Sequence, residues 1–412
     1  MRVLAINELK PGMVLGKEAR DRNGRLLLGE GLELDESHIR ILKSWGVTQA
    51  HVAGGEEESD TPEIPPEIRQ AAVGRIKKRF SHADWSDALV QNLMKAGVQR
   101  LCERMLEDPE LIPEPPAPEA PEAFELKPRT ESIDPRKVIH DNTELASLPT
   151  VFAELVEAVN DPRSSAASIS RVVSKDTALA ARLLKLVNCP FYGFPQKIDT
   201  ISRAVTILGS RQLTMLALGV AAVDMFRDVP EEMCTMDSFW RHSIAVGVSA
   251  RALALSCNIP NTERLFVAGL LHDVGHLVIY KHLAAYARDI QALALAEDVS
   301  LRSAEVKVLG FDHCKMGSLL LREWKLPPTL ENIVGHHHKP EKAQSPREPG
   351  LVQLANALSY ALELGTSGET RIPDVSPELL QMTGLEPSTI KQVVPQILTH
   401  YNELTRLIVD NV

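Results

Sequence analysis

The sequence predicts a mainly α-helical protein with a small β-rich domain at its N-terminus and a Pro/Glu-rich linker between the two parts. Of the 412 residues, 44% are hydrophobic and only 4% aromatic, and long Ala/Leu-rich runs favour helices because both residues are strong helix formers. Apolar residues recur at i, i+3, i+4 and i+7 through most of the chain after residue 136, which indicates amphipathic helices. The length exceeds one ordinary domain, so we expect two or three.

The first 54 residues are predicted to form the small β-rich domain. Its short β-like runs are 1–6, 13–14, 26–28 and 49–52. Asn23-Gly24 lies between two of them and tolerates the positive φ of a tight hairpin turn. Asp35 is a predicted N-cap for a short helix, "ESHIRILKSWG", which Gly46 would end.

The next segments are predicted to connect this domain to a large helical one. Residues 55–108 are an acidic connector followed by a helical segment from about 66 to 107. Residues 109–135 contain eight prolines and six glutamates, a composition that cannot bury apolar area and is typical of an extended linker. A ligand of SH3-type domains is the alternative for this stretch, but few basic residues flank it. Residues 136–412 are predicted to be all helical, without the fixed repeat period of a solenoid.

Composition excludes several classes of function. The formal net charge of −10 argues against nonspecific binding to nucleic acid or to an anionic membrane. Five scattered cysteines without a C-x-x-C pair favour a reducing cytoplasm. We find neither a signal peptide nor an apolar stretch long enough to span a membrane. Phosphate-binding glycine loops and the G-x-S-x-G elbow of serine hydrolases are also missing.

Histidines at separated positions form the main candidate site. They are His242 in "WRHSIAV", His272 beside Asp273 in "LLHDVGHL", His313 in "FDHCKM" and His336–His338 in "GHHHKP". A divalent-metal site needs several neutral imidazoles and one or two carboxylates that converge from different elements. Any one of these histidines alone is more simply a buried residue satisfied by a backbone carbonyl.

Several motifs in order resemble the HDOD domain, a member of the HD superfamily. They include "LPTVFAELVEAVNDP", "IDTISRAVTILGSRQL", "FVAGLLHDVGHL", "LGFDHCKMGSLLLREWKLP" and "IVGHHHKP", within residues 145–345. The resemblance implies an all-helical fold and carries the HD metal ligands onto six residues: His242, His272, Asp273, His313, His337 and His338. It also implies iron, manganese or zinc as the metal and, were the site active, catalytic roles for Asp273 and His276.

Three departures from the HD pattern argue against full phosphodiesterase activity. The last carboxylate of the pattern falls on Asn356, a neutral and weaker ligand. His276 stands where the pattern has a lysine, and the G-Y-P segment after the histidine pair is replaced. His272 and His276 also have the spacing of the metalloprotease motif H-E-x-x-H, but Asp273 is too short for the glutamate's role and the other motifs favour the HD family.

We therefore expect a signal-transduction regulator, with a metal-dependent phosphohydrolase of nucleotides or cyclic dinucleotides as the alternative. Residues 1–54 resemble the small domain that often precedes HD-GYP phosphodiesterases, relatives that hydrolyse cyclic di-GMP. The expected partner is a signalling protein or a cyclic dinucleotide, and a homodimer is compatible with the sequence. Phe191, Tyr192 and Phe194 cluster in one turn and form either part of the core or part of a partner groove.

Overall fold

The structure is a computed structural model of the chain. It describes residues 2–6, 8–20, 26–44, 47, 49–53, 64–112, 133–142, 145, 148–161, 163–194, 196–226, 229, 233–375 and 378–410. The predicted Asn23-Gly24 turn, the end of the first helix at Gly46, the acidic stretch 54–63 and most of the linker (113–132) lie outside these residues. The mainly helical fold class with a small N-terminal strand region is confirmed.

The N-terminal domain has its own small core. Its elements are β1 (Arg2–Ala5), β2 (Ala19–Arg20), β3 (Leu26–Leu28), α1 (Glu36–Ser44) and β4 (Gln49–Val52). β1 pairs antiparallel with β4, and β2 with β3. The run predicted at 13–14 is not a strand, since Val14 makes only an isolated bridge to Glu33. Asp35 caps α1 as predicted, because its Oδ1 accepts a hydrogen bond of 2.8 Å from the His38 amide.

Two helices before the linker belong to the core of the helical part. They are α2 (Pro66–Arg79) and α3 (Ala88–Glu107), and a short 3₁₀ turn, Pro109–Leu111, follows them. Their buried apolar residues form one continuous cluster with those of the later helices. Glu363 strengthens this contact: its carboxylate lies 2.8 Å from Arg75 Nε and 3.0 Å from Arg104 Nη1. The predicted domain boundaries at residues 54, 108 and 135 stay predictions. The core of the helical part, however, contains residues from both sides of 108 and 135.

The helices after the linker are short and densely packed. In order they are α4 (Pro135–Asp141), α5 (Thr150–Asn160), α6 (Ala166–Val173), α7 (Thr177–Val187), α8 (Ile201–Leu208), α9 (Ser210–Asp224), α10 (Met236–Ser256), α11 (Thr262–Leu271), α12 (Val274–His282), α13 (Ala284–Ala296), α14 (Leu301–Leu309), α15 (His313–Glu323), α16 (Pro328–His336), α17 (Arg347–Ala361), α18 (Leu379–Thr383) and α19 (Thr389–Ile408). The almost entirely buried helices α10 and α17 lie at the centre.

Two of the predicted helical stretches are interrupted by cap residues. Asp176 begins α7 as its N-cap, because its side chain accepts a hydrogen bond from the Leu179 amide. Gly209 separates α8 from α9 with a φ of +94°, a conformation that favours glycine. Among the described residues no single helix is long and apolar enough to cross a membrane; α8 and most of α9 pass that test only together, and they bend by 120°.

Candidate metal centre

Asp273 lies at the centre of a buried group of histidines. The residue sits between α11 and α12, directly after His272, and its side chain is 3% exposed. Its Oδ2 is 3.1 Å from His272 Nε2 and 3.9 Å from His242 Nε2, which comes from the middle of α10. Two segments of the chain, α10 and the junction of α11 with α12, therefore bring the first three predicted ligands together.

The other histidines approach the second oxygen of the same carboxylate. Asp273 Oδ1 is 3.4 Å from Nε2 of His313, the first residue of α15, and 3.5 Å from Nε2 of His337, which follows α16. His276 Nε2 is 4.0 Å away. The His276 ring stacks on that of His313 with 3.9 Å between centroids.

His338 occupies a different position from the other predicted ligands. Its ring lies 4.4 Å from that of His337 and 5.1 Å from that of His313, on the side where Cys314 is found. His336 turns away, with its Nδ1 2.9 Å from the Asn332 carbonyl. Four of the six predicted metal ligands therefore surround the carboxylate of a fifth, Asp273, and the sixth, His338, lies beside them.

The orientation of the histidines is fixed through their Nδ1 atoms. His272 Nδ1 and His337 Nδ1 each lie 2.8 Å from a backbone carbonyl, of Gly269 and Val334 respectively. Both of these bonds require Nδ1 to carry a proton, so in the neutral ring the lone pair of Nε2 faces Asp273. Such a bond at the far nitrogen is the usual support of a metal-binding imidazole.

Glu305 provides the same support for the His313 ring and lies close to the His276 ring. This buried residue of α14 accepts from His313 Nδ1 at 2.8 Å and lies 3.0 Å from His276 Nδ1. Its Oε2 also accepts from the His313 backbone amide at 2.9 Å. Sequence reasoning missed Glu305 because a glutamate in an amphipathic helix ordinarily faces solvent. Cys314, from the sequence only one of five scattered cysteines, is the other missed member of the group.

The electrostatics of the group favour an ionised carboxylate with both neutral and protonated rings around it. Burial opposes ionisation of Asp273, but the adjacent His272 and His276 hold its pKa well below the usual value. Burial, assisted by His272, lowers the pKa of His242 to about 3. Burial opposes protonation of His337 as well, yet Cys314 and Asp273 raise its pKa to about 9.

This arrangement fits a divalent cation. Both ring nitrogens of His242, His272 Nε2 and Asp273 Oδ1 are buried and make no hydrogen bond within the described ranges. Leaving buried polar atoms unpaired is costly, and neutral imidazole nitrogens with a carboxylate are ligands that divalent transition metals prefer. The cluster could therefore hold a metal ion.

Little free space adjoins the histidines. A cavity of about 30 Å³ borders Asp273, His276, His313 and Asn356, enough for one or two water molecules. A much larger groove of about 740 Å³, lined by none of these residues, lies between the N-terminal domain, the turn that follows α7 and helix α19.

The aromatic turn contributes to both the core and this groove. Phe191 is buried under the Arg251 guanidinium, and the Tyr192 hydroxyl donates a 2.6 Å hydrogen bond to Glu263. Phe194 instead lines the groove. The sequence left open whether these aromatic residues belong to the core or to a partner groove. Phe191 belongs to the core, whereas Phe194 lines a groove.

Comparison with known proteins finds a family match within the helical part. Residues 145–340 match the HDOD domain family. An uncharacterized protein of Treponema pallidum (strain Nichols) is 25% identical over 261 residues, which are 62% of this chain and 49% of the relative. The chain thus spans about half the length of that curated relative.

Solved structures share the fold. An HDOD domain protein of unknown function from Geobacter sulfurreducens has a TM-score of 0.56 and 23% identity, covering 67% of this chain and 97% of its own. A protein of Shewanella amazonensis SB2B, provisionally named a phosphohydrolase, has a TM-score of 0.54 and 26% identity over 66% of this chain and 97% of its own. From the family match and these structures we conclude that residues 145–340 of this chain match the HDOD domain family and share the fold of solved HDOD proteins.

Proposed function

We propose that the protein is a signal-transduction regulator with two separate sites. The histidine group around Asp273 would hold a divalent metal that stabilises the HDOD domain without turning over a substrate. A nucleotide, with a cyclic dinucleotide as the first candidate, would bind in the groove between the N-terminal domain and the helical part. The contrast between a 30 Å³ cavity at the histidines and a 740 Å³ groove elsewhere supports this division best.

The size of the two spaces argues against phosphodiester hydrolysis at Asp273. Ligand sites for small molecules usually measure roughly 300–1,000 Å³, a range that includes the groove and excludes the cavity. The five proposed ligands other than His338 are at most 3% exposed. A phosphoester could reach this centre only if the surrounding helices separated.

The residues beside the centre also lack free catalytic groups. A bound divalent cation would polarise a phosphoryl oxygen and lower the pKa of a coordinated water. Asp273, however, would be occupied as a ligand, and His276 is held by Glu305 at 3.0 Å. Asn356 adds no negative charge where the HD pattern has a carboxylate, so a second cation would be poorly neutralised. These features favour a structural over a hydrolytic role for the metal.

The groove has the chemistry that a nucleotide requires. Four cationic side chains line it, Arg40, Lys43, Lys197 and Lys391, against two acidic ones, Glu36 and Glu403. This local excess of positive charge in a chain with net charge −10 suits phosphate groups. The Phe194 ring offers an aromatic surface on which a base would stack. A ligand held by residues of both parts would change how they are joined, which is a means of signalling.

Metal-dependent phosphohydrolysis is the second candidate. It is supported by the histidine group itself and by the 26% identical structure provisionally named a phosphohydrolase. One experiment separates the two candidates, because they place the nucleotide at different residues.

The test measures cyclic di-GMP binding by calorimetry and its hydrolysis by chromatography on the same metal-loaded protein. We expect binding without product, weakened on the order of tenfold or more by the double variant Lys197→Glu/Lys391→Glu, which loses two charge-assisted contacts. Lys185→Glu, an exposed charge reversal outside the groove, should bind as the parent does. Product formation that Asp273→Asn abolishes would support the phosphohydrolase instead. Failure of cyclic di-GMP and other nucleotides to bind would contradict the groove assignment.

A further inference from the structure

We propose that Cys314 is a metal ligand, in a Cys-His₃ position formed with His313, His337 and His338 that takes a thiophilic divalent cation, zinc first. The inference rests on the proposed metal centre and assigns a second, softer position within it. The HD pattern supplies only nitrogen and oxygen ligands, so the thiol is an addition of this chain.

The distances around the thiol support coordination. Cys314 Sγ lies 3.6 Å from His313 Nε2 and 4.0 Å from His337 Nε2. In a tetrahedral zinc site with Zn–N of about 2.0–2.1 Å and Zn–S of about 2.3 Å, a nitrogen and a sulfur ligand are roughly 3.6 Å apart. One ligand atom from each of the four side chains lies within 4.8 Å of the others. The thiol and the imidazoles are thus spaced as ligands of one ion are.

The environment of Cys314 argues against an ordinary core role. Residue 314 follows His313 on the first turn of α15 and is 3% exposed. Its sulfur contacts two imidazole nitrogens, whereas a buried cysteine that serves only packing behaves as a small hydrophobe among apolar groups. His338, in the chain segment after α16, would supply the fourth ligand. The four ligands come from two segments, as in many structural zinc sites.

Two ligand sets of different character therefore lie side by side. His242, His272 and Asp273 form one compact set, and His313, Cys314, His337 and His338 form a second; a third, Asp273, His276 and His313, overlaps both. His313 and His337 face both, since each lies within 3.5 Å of Asp273 Oδ1. The carboxylate set suits harder cations such as manganese, while a thiolate selects zinc or other softer cations. We expect zinc to be retained at the thiolate position in preference to manganese.

The test uses the full chain and does not depend on enzymatic activity. Zinc-loaded protein is measured by X-ray absorption at the zinc edge, and cobalt-loaded protein by absorption spectroscopy. We expect one sulfur neighbour at about 2.3 Å from zinc and a near-ultraviolet thiolate-to-cobalt charge-transfer band. Cys314→Ser should lose that band, while Cys257→Ser, which changes a half-exposed cysteine bonded to the Thr383 carbonyl, should keep it.

The outcomes distinguish this inference from the proposed function. A shell of only nitrogen and oxygen atoms, with no charge-transfer band, would overturn the role of Cys314 and leave the metal centre in place. Failure of the unaltered chain to bind zinc, cobalt or manganese would overturn both. The zinc-edge measurement needs no variant, so the proposal remains testable even if Cys314→Ser does not fold.

Discussion

Glu305 determines which nitrogen of two buried histidines faces Asp273. Its two oxygens lie 3.0 Å from His276 Nδ1 and 2.8 Å from His313 Nδ1. An ionised carboxylate can accept from both rings, whereas an amide offers one accepting oxygen and one donating nitrogen. In Glu305→Gln one imidazole must therefore place its lone pair on Nδ1 and a proton on Nε2.

We expect Glu305→Gln to weaken metal binding by roughly 10–100-fold, the usual cost of changing a residue that supports a ligand. A competition titration against a coloured chelator measures this loss. Glu323→Gln, on the exposed face of α15, is the matched control and should bind as tightly as the parent. Equal affinity in the Glu305 variant would show that the ring orientation does not depend on this carboxylate.

At the scale of the elements, the close crossing of α12 and α15 brings His313 to Asp273. Gly275 makes that crossing possible, because a Cβ at this position would overlap the His313 carbonyl oxygen and lie 2.7 Å from the Gly317 amide nitrogen. Both neighbours are backbone atoms, which cannot rotate away as a side chain could. The glycine of the sequence "HDVGH" is thus needed for helix packing.

Gly275→Ala is expected to lower the free energy of unfolding by roughly 3 kcal/mol, the upper part of the usual range for overpacking, and to weaken metal binding by displacing His313. Urea denaturation measures the first effect. Gly74→Ala changes a helical glycine with open space around it and should stabilise by about 0.5–1 kcal/mol. If both variants unfold at the same urea concentration, the two helices can separate without cost.

Helices were easier to predict than the contacts between them. Hydrophobic periodicity predicts the helical regions, and the cap at Asp176 follows from local chemistry because its bond partner is three residues away. The HD resemblance led to His242, His272, Asp273, His313 and His337, which the structure brings together. Glu305 could not be predicted in this way, since its reason for burial lies in His276 and His313, on other helices. The role of Cys314 depends likewise on His337, from another segment.

At the scale of the whole molecule, the helices before the linker are built into the helical core. Helices α2 and α3 form a hairpin, and four of its side chains are at most 1% exposed: Ile76, Phe80, Leu93 and Leu101. Burying such side chains is worth roughly 1.5–3 kcal/mol each, so the four supply an amount comparable to the whole stability of a typical domain, about 5–15 kcal/mol. The ion pairs of Glu363 with Arg75, Arg79 and Arg104 add to this contact.

A chain limited to the predicted domain 136–412 should therefore be unstable. We expect it to bind a hydrophobic dye and to unfold at much lower urea concentration than a chain of residues 64–412, which keeps the hairpin. Removing residues 1–53 to make that longer chain should leave the unfolding of the helical part nearly unchanged, because the N-terminal domain has a separate apolar cluster. Similar unfolding midpoints for 136–412 and 64–412 would mean that the core of the helical part is stable without the hairpin. A lower midpoint for 136–412 would mean that the helical domain begins before the linker. Residues on both sides of the linker would then stabilise the fold that positions the metal centre.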